Sequence, residues 1–303
     1  MDRRLFTRCL TLSSVVLPAV ARSLGAEPKR PVFIDADTAN EIDDLYAIVR
    51  ALLEPGFEVK ALSSAQWNHR LSPPNTVQES QKLNEELLRL MNRTTIPAPT
   101  GSEMIMGKPW GEYDPRDSPA AQLMIRTARQ LPAGQPLTNI SLGAATNVAS
   151  ALKLAPDIRP RVVCYNLGGH YDAARKVWNK DEFNVRNDLN AMNYLFNTEG
   201  IELHIMPINI LYSFKFKQEE VLKRLMGQGG VWDYLATRWL TNAPGDRERV
   251  FWDLALVAAV ARPDLVREEK RLTPPENHPR DVFVYTQIDP VGLFKDWWTI
   301  TGK

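Results

Sequence analysis

The fold of this chain is decided by the stretch VFIDADTANEIDD at residues 32–44. Its first three residues form a continuous apolar run, which is typical of a strand buried on both faces of a parallel sheet. Four aspartates and one glutamate follow within residues 35–44. Apolar residues then recur at helical spacing as far as Leu53, and Pro55-Gly56 ends the pattern. The stretch therefore predicts a buried strand, an acidic turn and a helix in immediate succession.

The same alternation continues along the rest of the chain. Further strands are predicted at residues 57–61, 137–142, 162–167, 201–206 and 282–285. Helices are predicted at residues 78–91, 120–130, 148–154 and 188–196, in two segments of 218–240, after Trp252 and from Asp289. Strands that alternate with helices predict an α/β fold with an open, mostly parallel sheet flanked by helices, here as a single domain over residues 27–303. Ligands of such folds bind beyond the carboxyl ends of the strands.

Composition narrows the class of protein. The 303 residues are 44% hydrophobic and 24% charged, with a formal net charge of +1, as in ordinary globular proteins. A chain so close to neutrality has no electrostatic reason to bind nucleic acid or an anionic membrane, so neither partner is expected. Cys9 lies near the N-terminus and Cys164 in an apolar run, so we predict a buried Cys164 and no disulfide within the chain.

Residues 1–26 are predicted to be a signal peptide. Arg3-Arg4 precedes an apolar stretch at residues 9–20, which is too short to span a bilayer because a span takes roughly 20 residues. Small residues then lead to Leu24-Gly25-Ala26, a pattern typical of a cleavage site. The arginine pair also resembles a twin-arginine signal. The segment indicates export to the periplasm or the exterior of a bacterial cell; the alternative is an N-terminal helix on a cytosolic protein.

The acidic turn predicts a cation site. Carboxylates packed this closely repel one another, and a bound cation or raised pKa values relieve that repulsion. Several hard oxygen ligands suit Ca²⁺ or Mg²⁺. The alternative is a solvated loop in which Asp43 caps the following helix. The position of the cluster, directly after a core strand, favours the cation.

The order of the motifs resembles the inosine-uridine-preferring nucleoside hydrolase family, whose signature is a strand followed by an aspartate-rich DxD…DD turn. Four later segments match motifs of that family in order: SSAQWN at 63–68, LGAATNVA at 142–149, LGG at 167–169 with EFN at 182–184, and WDLA at 252–255. The resemblance implies a Rossmann-like nucleoside hydrolase fold. It also implies calcium-dependent hydrolysis of the N-glycosidic bond of ribonucleosides, usually by a dimer or tetramer.

The resemblance implies a metal site and a catalytic base. Ca²⁺ would be held by Asp37, Asp44, Asp253 and the main-chain carbonyl of Thr146, and Asp37 would also take a proton from the attacking water. The letters PLTN at 136–139 copy the family's turn but fall at the start of a predicted strand. For this reason the turn is assigned to Thr146 and the residue after it.

The same resemblance implies how the sugar is bound. Asp43, Asn68, Glu182 and Asn184 would hold the ribose hydroxyls. Cleavage builds positive oxocarbenium character on the sugar, and nearby carboxylates stabilise that charge. The sugar is therefore expected to be the better-recognised half of the substrate.

Trp252 stands where many family members carry a histidine that donates a proton to the departing base. Tryptophan at this place resembles the purine-specific branch, in which stacking raises the proton affinity of the base. The expected substrates are therefore purine nucleosides, with Trp67 and Trp178 as candidates for the opposite face of the base. His69 and His170 lie on candidate site loops. The alternative is that Trp252 is only a bulky residue at the start of a helix.

Two departures from the family pattern keep other functions open. The acidic turn has two residues more between Asp37 and Asp43, and Lys176 stands where the family has an asparagine. They motivate a non-catalytic alternative, an exported, calcium-stabilised protein that binds a nucleoside or sugar. A DxD motif after a first strand is also typical of haloacid-dehalogenase-type phosphatases, but Ala39 stands where that chemistry needs threonine or valine.

Overall fold

The structure is a computed structural model that describes residues 28–303, so the predicted signal peptide lies outside it. The strands are β1 (Arg30–Ala36), β2 (Phe57–Ser64), β3 (Leu137–Ser141), β4 (Val162–Leu167), β5 (His170–Asp172), β6 (Val177–Asn179), β7 (Glu202–Met206), β8 (Lys215–Lys217), β9 (Glu248–Val250), β10 (Val266–Leu272) and β11 (Asp281–Ile288). The helices are α1 (Asp43–Leu53), α2 (Thr76–Leu90), α3 (Pro119–Gln130), α4 (Thr146–Leu154), α5 (Phe183–Asn187), α6 (Leu189–Asn197), α7 (Gln218–Leu225), α8 (Gly230–Asn242), α9 (Trp252–Ala261) and α10 (Pro290–Thr301).

Seven of these strands form one sheet in the order β10-β11-β7-β4-β3-β1-β2. Every neighbouring pair is parallel except β10 and β11. The predicted α/β fold with a mostly parallel sheet is confirmed. No helix within residues 28–303 is long and apolar enough to cross a membrane.

Both faces of the sheet are covered. Successive side chains of a strand point to opposite faces, and Val32 and Ile34 accordingly belong to one hydrophobic cluster while Phe33 belongs to the other. Helices α1, α9 and α10 pack in the first cluster, and α3, α4 and α6 in the second. This two-sided burial explains why β1 is a continuous apolar run.

The pairing of α1 with α9 positions the site. Helix α9 is apolar on all sides apart from Asp253, as expected for a helix in the core. Its start is held by aromatic packing: the Phe251 ring stacks on Phe216 at 4.5 Å and lies 4.6 Å from Tyr46 of α1. This contact brings the first turns of α1 and α9 side by side.

Some elements were not predicted from the sequence. Strand β10, at the sheet edge, has charged residues at every position from 267 to 271 and lacks the apolar run of a central strand. The hairpin of β5 with β6 and the ribbon of β8 with β9 consist of strands of three residues each. Such short strands leave no periodic pattern to detect. Cys164 is buried, as predicted, and burial raises its pKa to about 12.

Candidate active site

A cavity of about 290 Å³ opens at the carboxyl ends of four adjacent strands. Among its lining residues, Asp37 follows β1, Leu142 follows β3, Leu167 ends β4 and Ile208 lies just beyond β7. This is the place where ligands of parallel α/β folds bind, because the loops after the strands diverge there.

Three buried carboxylates meet at the start of two packed helices. Asp43 and Asp44 open α1, and Asp253 is the second residue of α9. One oxygen of each lies within 4.8 Å of the others. Asp43 Oδ2 also accepts the main-chain N–H of Asp253 at 3.2 Å. Residues far apart in the sequence therefore form one acidic group.

Asp37, which follows β1, lines the same cavity, and its charge repels those of Asp44 and Asp253. Burial raises the pKa of Asp37, Asp44 and Asp253 well above the ordinary value, and mutual repulsion adds to the effect. Within residues 28–303, Asp37 Oδ2 and the Oδ1 atoms of Asp43, Asp44 and Asp253 have no hydrogen-bond partner. Buried carboxylate oxygens that repel one another and lack donors fit a hard divalent cation.

The chain that follows β3 passes close to the Asp37 side chain at Gly143. A Cβ on Gly143 would lie 2.7 Å from Asp37 Oδ1, so only glycine leaves room for the carboxylate. The Leu142 carbonyl accepts a hydrogen bond from Asn184 Nδ2 at 2.6 Å, and Leu142 lines the cavity. Thr146 does not line it: this residue begins α4, and its hydroxyl donates to Asp188 at 2.6 Å.

The assignment of a metal-binding carbonyl to Thr146 therefore needs correction. Matching the letters of the turn placed the ligand inside the first turn of a helix, whose carbonyls point along the helix axis. The main-chain oxygen at the end of β3 that belongs to a cavity-lining residue is that of Leu142.

Glu182 and Asn184 form the wall next to the acidic group. Glu182 caps α5, where its carboxylate accepts the main-chain N–H groups of Asn184, Val185 and Gly169, each at 3.1 Å. Burial raises its pKa, and these hydrogen bonds oppose the rise. Both predicted sugar-binding residues line the cavity, and both are held rigidly by the backbone.

Asp35 supports the site from behind. Its carboxylate accepts hydrogen bonds from the Ser63 hydroxyl at 2.5 Å and from Asn147 Nδ2 at 3.0 Å. Complete burial raises the pKa of Asp35 to about 6, although both hydrogen bonds lower it. Asp35 thus ties β1 to β2 and to α4 beneath the turn.

The longer acidic turn is anchored to its surroundings. Thr38 donates its hydroxyl to Asn84 of α2 at 2.6 Å. Glu41 lines the cavity and pairs with Arg249, so the turn adds one more carboxylate beside the four aspartates. Burial raises the pKa of Asp43, the charge of Glu41 raises it further, and Arg249 lowers it.

Trp252, at the start of α9, lines the cavity, as do Ile208 and His170. The ring of Tyr212 packs edge-on against the indole, with centroids 5.6 Å apart. This apolar wall offers a face on which a nucleobase could lie, next to the carboxylates that would hold the sugar.

Asn68 and Trp67 line a second cavity, of about 400 Å³, which shares Arg186 with the first. Trp67 is buried against His69, with centroids 5.3 Å apart, and its Nε1 donates to Ser80. Neither residue lines the cavity that contains the aspartates. The expectation that Trp67 faces Trp252 across a base therefore needs correction.

Trp178 and Lys176 lie in a third cavity on the β5–β6 hairpin. The Trp178 indole packs on Tyr171 and Phe196, and its Nε1 donates to the Leu272 carbonyl at 2.9 Å. Trp178 is thus partly buried against a core cluster and lines a cavity other than that of Trp252. This corrects its predicted role and removes Lys176 from the vicinity of the aspartates.

Sequence reasoning left other lining residues without a role, among them Leu142, Ile208 and Arg186. Arg186 lies two residues after the EFN motif, and this proximity could have indicated that it lines the cavity. Ile208 follows the end of β7 by only two residues, which is weaker evidence that it lines the cavity. Leu142 contributes a main-chain atom, for which side-chain chemistry gives no signal.

Comparison with known proteins defines the family. The model of the inosine-uridine preferring nucleoside hydrolase family matches residues 32–287, and the chain belongs to this family, as its motifs predicted. The chain is 26% identical over 209 residues to the pyrimidine-specific ribonucleoside hydrolase RihA of Escherichia coli, an alignment covering 63% of this chain. It spans 64% of the length of the curated relatives it matches.

Solved structures support the fold. The inosine-uridine preferring nucleoside hydrolase from Bacillus anthracis superposes with a TM-score of 0.68 at 16% identity, over 90% of this chain and 99% of that one. The purine-preferring ribonucleoside hydrolase from Gardnerella vaginalis gives 0.65 at 19% identity, over 90% and 98%. At these identities the likeness establishes the architecture alone.

Proposed function

We propose that this protein hydrolyses the N-glycosidic bond of ribonucleosides to free base and ribose. The observation that carries the proposal is the group of four buried aspartates whose unpartnered oxygens line a cavity beside Glu182 and Trp252. Membership of the nucleoside hydrolase family supports the same reaction.

The acidic group fits Ca²⁺. Asp44 and Asp253, which form the close group with Asp43, would hold the ion together with Asp37, which lines the same cavity. The carbonyl of Leu142 is the candidate main-chain ligand in place of Thr146. When bound, such an ion neutralises the cluster and lowers the pKa of water in the cavity.

The residues of the chain supply the remaining chemistry. Asp37 accepts a proton from the attacking water, because it lines the cavity and its Oδ2 has no hydrogen-bond partner among residues 28–303. Asp43, Glu182 and Asn184 orient the sugar, and the carboxylates stabilise positive charge that develops on it. Asn68 would act on the sugar only if the loop after β2 moves toward the first cavity, since it lines the second one.

We further propose a preference for purine bases. A purine has the larger ring system and gains more from contact with the Trp252 indole than a pyrimidine does. Trp252→Ala is expected to reduce kcat/KM for inosine about tenfold more than for uridine, in line with the loss of one aromatic contact. Equal losses of kcat/KM on both substrates would show that Trp252 does not take part in the recognition of the base.

The deciding experiment is chromatography of released base over a panel of nucleosides, with calcium and with a chelator. We expect base release from inosine and guanosine that chelation abolishes. Calorimetric titration with a nucleoside that is recovered intact would support the non-catalytic binding protein. Hydrolysis of p-nitrophenyl phosphate without base release would support the phosphatase.

We also propose export and self-association. Residues 1–26 carry the signal-like pattern, and fractionation of cells that produce the full chain should recover the protein outside the cytoplasm. Retention of an Arg3→Lys, Arg4→Lys double variant in the cytoplasm would assign the export to the twin-arginine route. Light scattering is expected to give the mass of a dimer or tetramer.

A further inference from the structure

We infer that His170 donates the proton to the departing base, an inference that rests on the proposed function. The chain has four histidines, and among the residues that the structure describes only His170 lines the cavity with the aspartates. His69 lies against Trp67 of the second cavity, and His278 pairs with Glu199 on the surface. The position normally used by a histidine acid holds Trp252.

The backbone holds His170 in the lining of the cavity that Trp252 also lines. The main-chain N–H of Ile208 donates to the Gly169 carbonyl at 3.0 Å. Asn209 accepts the N–H of Tyr171 at 2.9 Å and donates to its carbonyl at 3.1 Å, so both neighbours of His170 are clamped. The same segment continues to Tyr212, whose ring contacts Trp252. The segments that carry the imidazole and the indole are therefore tied together, and both residues line the cavity in which a base would lie.

The imidazole of His170 is free to act on a ligand. Neither ring nitrogen forms a hydrogen bond with another residue of 28–303, and Nδ1 is shielded from solvent. His204 shows the contrasting structural arrangement, with Glu268 at 2.7 Å from Nδ1 and Glu202 at 3.1 Å from Nε2. Nε2 is neither shielded nor hydrogen-bonded among these residues. An unpartnered polar atom at a cavity wall is expected to meet a partner in the substrate, so Nε2 is the nitrogen that would donate the proton.

The proton transfers balance. As the bond between C1′ and the base nitrogen breaks, its electron pair moves to the base, and His170 delivers a proton to a ring nitrogen of that base. The water oxygen bonds to C1′, and the water proton passes to Asp37. The products are neutral base and ribose. His170 then regains a proton from solvent and Asp37 releases one.

A substrate whose leaving group needs no proton distinguishes proton donation by His170 from any other effect of this residue. We would compare His170→Asn with the parent protein on inosine and on 4-nitrophenyl β-ribofuranoside, whose nitrophenolate leaves as a stable anion. We expect kcat/KM for inosine to fall by about 10²-fold or more. For the nitrophenyl substrate we expect a change of no more than about threefold. His278→Asn, a surface histidine outside the site, is the matched control and should behave as the parent does.

The other possible results distinguish failure of the role of His170 from failure of the proposed function. Equal losses on both substrates, or no loss on inosine, would overturn the role of His170. Calcium affinity by calorimetry should stay unchanged in His170→Asn; a fall that accompanies the activity loss would mark the effect as structural and also overturn the inference. Parent protein that cleaves neither substrate would instead refute the proposed function itself.

Discussion

Gly143 leaves the space that the Asp37 carboxylate occupies. A methyl group there would lie 2.7 Å from Asp37 Oδ1 and push it aside. We expect Gly143→Ala to reduce kcat/KM by about 10²-fold, because small displacements of reacting groups are costly. Gly245→Ala is the matched control, since a Cβ at that position meets nothing within 4 Å. Steady-state kinetics that are unchanged in Gly143→Ala would contradict the role given to Asp37.

The Asp37 carboxylate is predicted to promote catalysis and to destabilise the calcium-free folded protein. Asp37→Asn removes the proposed base, and we expect kcat to fall by about 10²- to 10⁴-fold. In the presence of chelator, the same variant should resist urea better than the parent protein at neutral pH, because one of four buried, mutually repelling carboxylates is gone. Denaturation curves test this, and a less stable chelated variant would contradict the repulsion.

At the scale of elements, the site depends on how α1 packs against α9. Phe251 is fully buried between Tyr46 and Phe216 just before Asp253. We expect Phe251→Ala to cost about 3–5 kcal/mol of unfolding free energy. It should also weaken calcium binding, because Asp253 loses its fixed position relative to α1.

Phe196→Ala provides the matched control on the opposite face of the sheet. Phe196 is also buried but belongs to the other hydrophobic cluster. We expect a similar loss of stability, measured by urea denaturation, and unchanged calcium affinity, measured by calorimetry. Equal calcium affinities in both variants would show that the aromatic contact does not position the site.

For the whole molecule, the buried carboxylates link stability to pH and calcium. The pKa values of Asp35 and Asp43 are about 6, above the ordinary 3.8, because both are buried. The folded protein therefore holds these protons more tightly than the unfolded chain does. Its stability falls as pH rises from about 4 through about 6, and chelated protein should melt at a lower temperature at pH 8 than at pH 5.

Calcium is expected to oppose this loss. An ion that binds only the folded state adds about 2.7 kcal/mol at a hundred times its Kd. Its effect on the melting temperature should be larger at pH 8 than at pH 5, since ionised carboxylates bind it better. Calorimetric scans at both pH values, with calcium and with chelator, test the link. A melting temperature that does not change with calcium would contradict the proposed metal site.

Local pattern was enough for much of the architecture. The apolar run of β1 and the helical spacing of α1 predicted both elements, and α1 begins and ends at the predicted residues. The edge strand β10 and the short hairpins escaped prediction, because their pairing depends on partners distant in the chain.

The sequence by itself determined the fold class, the family and the acidic composition of the site, because burial period and motif order are written along the chain. Only the tertiary structure decided which of the candidate side chains share one cavity. It brought Asp253 to Asp43 and Asp44, assigned Trp67 and Trp178 to other cavities, and put His170 and Trp252 in the cavity with the aspartates. The physical reason is that a side chain's neighbours are set by helix packing and loop path, which local spacing does not encode.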